Sequence, residues 1–160
     1  MDHVARIQAQ WRAERPDLDV RPQGVIGRLH RLANFLTDEL TAVYAEHGLS
    51  EGEFDVLAAL RRTGAPYELA PNELAHHTMV TTGAMTKRLD RLEGAGLVTR
   101  RPSTSDGRRR IVALTRKGKT LIDQAFTAHL ANERRLLDAL TPKQADQLEA
   151  LLTSWLAEYE

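Results

Sequence analysis

The segment from Thr81 to Leu114 constrains the fold most, because it joins one amphipathic helix to two short β-type runs. On a wheel of about 100° per residue, Met85, Leu89 and Leu92 form a single apolar stripe, and Gly94 and Gly96 stop the helix. Leu97 to Arg101 and Arg110 to Leu114 read as strands. Pro102, Ser103, Thr104, Ser105, Asp106 and Gly107 supply the turn chemistry between them. The pattern predicts a helix backed by a two-stranded wing.

The overlapping stretch from Lys87 to Lys119 is charged unlike the rest of the chain. Between Lys87 and Lys119 stand eleven Lys and Arg against three acids, Asp90, Glu93 and Asp106, a local charge of +8. The 160-residue chain has a net charge of zero, so the remainder carries −8. Charge segregated in this way makes a basic surface suited to a polyanion. Zero net charge argues against indiscriminate packaging of nucleic acid.

Elsewhere apolar residues recur at helical spacing. A first helix is expected from Val4 to Glu14. A longer one follows Pro22 through Val25, Leu29, Leu32, Leu36, Leu40 and Val43, and Gly48 ends it. Ser50 and Glu53 form a capping box for a helix through Phe54, Leu57 and Leu60 that stops near Gly64. Ala70-Pro71-Asn72-Glu73 opens a short helix, and Thr81 or Thr82 caps the next. Thr115 starts a long helix to about Leu140, and a second capping box at Thr141 and Gln144 opens a last one to about Tyr159. The expectation is one domain over 1–160, mostly α with a small β-wing. A winged helix-turn-helix fills 50–115, and dimerisation helices in 1–48 and 116–160 flank it.

Several classes of chemistry lack their residues. There is no cysteine, hence no disulfide and no zinc knuckle. His76 and His77 are adjacent and splay about 100° apart on a helix. No His pair has metal-ligand spacing with a carboxylate, and neither a Gly-rich phosphate loop nor a nucleophile–base motif occurs. We therefore expect no enzyme, no metal and no cofactor. The first residues lack an apolar signal region and no apolar run approaches a bilayer span, so a cytoplasmic chain with no membrane partner is expected.

DNA contact is expected from two places. Gly83, Thr86 and Lys87 fall away from the apolar stripe, with Thr81 and Thr82 at the helix start. Hydroxyls and one cation at the N-terminal end of an exposed face suit a major groove. Arg108 and Arg109 beside the wing turn can reach a minor groove, and Arg101 faces out from the strand. Asp106 either orients Arg108 through a charge-assisted bond or is a plain turn residue. Apolar stripes through Leu121, Phe126, Leu130, Leu136, Leu137, Leu140, Leu148, Leu151, Leu152, Trp155 and Leu156 exceed what a small winged core needs. They argue for a homodimer reading a pseudo-palindromic promoter with half-sites about 10 bp apart.

The runs Asn72-Glu73-Leu74-Ala75, Thr86 to Glu93, Gly96-Leu97-Val98, Asp106 to Arg109 and Val112 to Thr115 resemble the MarR family of winged-helix regulators. The likeness covers roughly Val25 to Glu158. It implies a dimeric transcription factor, commonly a repressor that a small phenolic or acidic ligand releases from DNA. The N-terminal segment around Trp11 is similar to that of the urate-responsive, PecS-like branch. That likeness implies an effector site for urate, xanthine or a related anion, made of Trp11, Asp55, Arg88 and Arg100. Residue by residue, Arg88 lies on the flank of α-helical stripe residues Met85, Leu89 and Leu92 and points to the protein body. Asp55 has small apolar neighbours, Val56, Ala58 and Ala59, and a carboxylate there needs a partner. Arg100 shares the inward face of Val98 and is expected to turn toward Asp55. The alternative is a ligand-independent regulator in which Asp55 and Arg88 form only a structural ion pair.

Overall fold

A computed structural model describes residues 1–78, 82–102 and 110–160, with 82 and 83 as backbone only. It comprises two compact units, Met1–Leu40 and Thr41–Glu160. In the first, α1 (His3–Glu14) is capped by Asp2, whose Oδ1 accepts the Ala5 N–H at 2.8 Å. The Arg28 guanidinium, from the early turns of α2 (Arg21–Glu46), donates to both oxygens of the same carboxylate. Gly27 leaves room for the buried Val4, and Gln8 donates to the Val20 carbonyl at 2.8 Å. One acid, one glycine and one amide thus tie the two helices of this unit together.

The second unit is built around α3 (Glu51–Arg62), opened by the expected Ser50–Glu53 capping box. Val56, Leu57, Ala59 and Leu60 of α3 are fully buried, with Leu74 of α4 (Pro71–His77) and Ile122 and Ala125 of α6 (Arg116–Leu137). Met85, Leu89 and Leu92 complete this core from α5 (Thr82–Gly94), as their spacing predicts. The last helix, α7 (Pro142–Leu156), begins at the expected second capping box.

The sheet has three strands rather than two. Besides β2 (Val98–Pro102) and β3 (Arg110–Leu114), Glu68–Leu69 forms β1, and the antiparallel order is β1-β3-β2. Glu68 lies opposite Ala113, and Val98 opposite Leu114. Two residues cannot show a period-two pattern, so β1 carries no alternation signal. It forms because Tyr67, at φ 62°, turns the chain and accepts the Leu114 N–H at 3.0 Å. The long helix also stops earlier than expected, at Leu137, with Asp138 as its C-cap.

Within the chain, Val25, Leu32, Phe35, Leu137, Leu151 and Leu156 remain exposed. Among the described residues no helix is long and apolar enough to cross a membrane.

Candidate nucleic-acid and effector surfaces

With Met85, Leu89 and Leu92 turned into the core, α5 presents Thr86 and Lys87 to solvent. Thr82 and Gly83 occupy its first turn. Thr81, Asp106, Arg108 and Arg109 lie outside the described residues. Arg101 is less free than strand alternation predicts, since its Nη2 donates to Glu68 of β1 at 2.6 Å. The outward cation of the expected hairpin acquires a carboxylate partner because the sheet has a third strand.

Arg100 departs further from expectation. Its guanidinium reaches Glu93 Oε2 at 2.6 Å and Asp90 Oδ1 at 2.7 Å, and its backbone N–H donates to Glu93 Oε1. These hydrogen bonds from Arg100 hold the Glu93 carboxyl below the usual range. Arg100 therefore clamps β2 to α5 instead of turning toward Asp55. It also lines a cavity of about 880 Å³ beside Pro71, Asn72, Thr86 and Arg110. Strand alternation identifies a face and leaves the partner open. Two acids three residues apart on α5 were the sequence signal for this clamp.

The opposite flank of α5 carries Arg88. Its side chain passes over Gly52 in the first turn of α3, where an added methyl would overlap Nε and Cζ and lie 2.6 Å from Nη2. Nη1 of Arg88 is buried and has no hydrogen-bond partner among the described residues. No Asp55–Arg88 ion pair forms among them, which corrects the alternative reading. The guanidinium rests over Gly52, about one helical turn short of Asp55. Arg91 instead pairs with Glu53 at 3.1 Å, and that glutamate is 3% exposed because it also completes the capping box.

The Asp55 carboxyl is pushed above the ordinary aspartate range, first by burial and then by Glu51. Arg62, Arg88 and His129 offset this only in part. Behind it lies an aromatic group that sequence reading missed. Tyr44 stacks on Phe54 at 4.1 Å, and its hydroxyl is 3.2 Å from His129 Nδ1. Burial first, then the Asp55 charge, pushes the Tyr44 phenol up to about 12. His129 comes from α6, so its approach depends on helix packing that spacing along the chain does not reveal.

The Asp55 shift has a stability consequence. A carboxyl with a raised folded pKa favours the fold while protonated and loses that contribution as pH rises through the folded value. Asp55→Asn should therefore raise Tm at pH 7, with the gain vanishing below about pH 4. Thermal melts at the two pH values test this; a lower Tm at pH 7 would mean that the charged carboxylate is held by a favourable partner. Trp11 belongs to the first unit, where it is 48% exposed on α1.

A buried-stripe helix with an outward polar face, a short helix before it and an antiparallel wing behind it define a winged helix-turn-helix DNA-binding regulator. The chain belongs to the MarR family: residues 47–109 match the family's model. It is 42% identical over 149 residues to the HTH-type transcriptional regulator PecS of Dickeya dadantii, covering 93% of this chain and 90% of that protein. It is 34% identical over 134 residues to the HTH-type transcriptional repressor Mb2911 of Mycobacterium bovis, covering 84% and 93%. Among solved structures, a mutant MarR from E. coli complexed with operator DNA superposes with TM-score 0.72 at 28% identity, covering 87% of this chain and 99% of that one. The protein is a transcriptional regulator and not an enzyme.

Proposed function

We propose that this regulator is a homodimeric cytoplasmic repressor that binds a pseudo-palindromic operator and is released by a small planar anion such as urate. The observation that carries the effector half is the buried, unpartnered Nη1 of Arg88 on the helix that presents Thr86 and Lys87. Leaving such a donor unsatisfied costs about 1–3 kcal/mol, and more for a charged group. An anion that accepts from it recovers that energy. The relative of known structure in complex with operator DNA supports the DNA half. Exposed apolar residues on α2, α6 and α7, such as Phe35, Leu137 and Leu151, support a second copy as the covering partner.

In this reading Thr81, Thr82, Gly83, Thr86 and Lys87 address the major groove. Arg101, Arg108 and Arg109 serve the wing, with Asp106 at its turn. Arg88 receives the anion, and Asp55 senses the change in charge. Arg100 acts as the clamp that carries movement of α5 into the wing. The ligand works by its differential affinity for two positions of α5, since Arg88 and Lys87 ride on one rigid helix.

The test is operator binding by fluorescence anisotropy, against scrambled DNA, with urate titrated in. Wild type should prefer the operator and leave it as urate rises. Arg88→Ala should bind the operator within about threefold of wild type yet need at least about tenfold more urate for release. Equal sensitivity of both proteins to urate would refute the site. A monomer by light scattering at micromolar concentration would refute the dimer.

A further inference from the structure

Gly52 has no conformational reason to be glycine. It sits in the first turn of α3, and the glycines with positive φ among the described residues are Gly48, Gly64 and Gly96. At an ordinary helical position glycine is less favourable than alanine by roughly 0.5–1 kcal/mol. What the missing Cβ provides is space. The nearest atoms to a methyl there are Nε, Cζ and Nη2 of Arg88, and Gly52 itself is buried. The obstructing atoms are the far end of a flexible side chain, so a methyl moves the guanidinium and leaves the backbone in place.

We propose that Gly52 is a positioning residue for the effector site. It forms the notch that seats the Arg88 guanidinium with Nη1 buried and unpartnered. This rests on the reading of Arg88 as the anion-receiving group. A methyl at 52 closes the notch and sends the guanidinium toward solvent, where water satisfies it and an anion gains little by binding. The same change favours the α3 helix. Gly52→Ala should therefore separate stability from ligand response, which a merely structural glycine would not do.

The experiment uses the full chain with urate as the probe, measured by isothermal titration beside operator affinity and Tm. Gly52→Ala should bind urate at least about tenfold more weakly, with operator affinity within about twofold and Tm equal to or above wild type. Urate binding by Gly52→Ala at wild-type strength, with Arg88→Ala weakened, overturns the role of Gly52 and leaves the effector site standing. Wild-type binding by Arg88→Ala overturns the effector site itself. Should Gly52→Ala lower Tm, the double variant Gly52→Ala/Arg88→Ala must recover it, because the clash partner is gone. A Tm that stays low in the double variant also overturns the proposal.

Discussion

Gly118→Ala is expected to cost about 3 kcal/mol of stability and to lower Tm by roughly 6–12 °C. Gly118 is buried in the first turn of α6, where that helix crosses the chain entering β2. A methyl there would overlap the carbonyl oxygen of Leu97, approach its carbonyl carbon at 2.9 Å and meet Leu114 Cδ1 at 3.0 Å. The obstruction is backbone, unlike the flexible side chain over Gly52. Nor can that backbone easily move. The Leu97 oxygen accepts the Thr115 N–H at 3.0 Å, and the Thr115 hydroxyl lies 2.8 Å from the Gly96 carbonyl oxygen. Lys117 Nζ adds a bond to the Ala95 carbonyl at 2.8 Å. α6 must separate from the sheet to admit one carbon. Thermal melts followed by circular dichroism test this, with Gly94→Ala as the control because nothing lies within 4 Å of its Cβ position. A Gly118→Ala melt coincident with wild type would show that α6 can shift freely.

The two glycines mark where sequence reading stops. Helical periodicity placed Met85, Leu89 and Leu92 in the core, and the capping boxes at Ser50 and Thr141 gave two helix starts that the structure reproduces. Such features are local, involving residues within a turn or two of each other. Gly52 and Gly118 look alike in the chain, yet one faces a guanidinium from α5 and the other a carbonyl next to β2. Contacts between elements decide them. The same holds for Arg100: alternation puts it on the Val98 face, but the carboxylates that it meets in the fold are Asp90 and Glu93 of α5. Asp55 was legible as a carboxylate in apolar surroundings. That burial and Glu51 would raise its cost, and that His129 would offset part of it, was not, because His129 arrives from a helix more than seventy residues later.

These pairings also change how the basic segment must be counted. Arg100 is bound by two carboxylates and Arg101 by Glu68, so neither carries a full unscreened charge to DNA. Lys87 and Arg110 are exposed. One protomer thus offers fewer phosphate contacts than a local +8 implies, and the proposed dimer would supply twice as many. A dimer neutralising about six to ten phosphates should lose about 10³–10⁵ in affinity between 50 and 200 mM salt, a log–log slope of about −5 to −9. Titrating operator at five or more salt concentrations measures that slope directly. Lys87→Ala should reduce its magnitude by about two, one for each protomer, while weakening operator and scrambled DNA alike. Arg101→Ala should change it less, because Glu68 already holds that guanidinium at 2.6 Å. A shallow slope of about −3 would mean that one protomer binds alone. Equal effects of Lys87→Ala and Arg101→Ala would mean that the wing releases Arg101 from Glu68 when it meets the phosphate backbone.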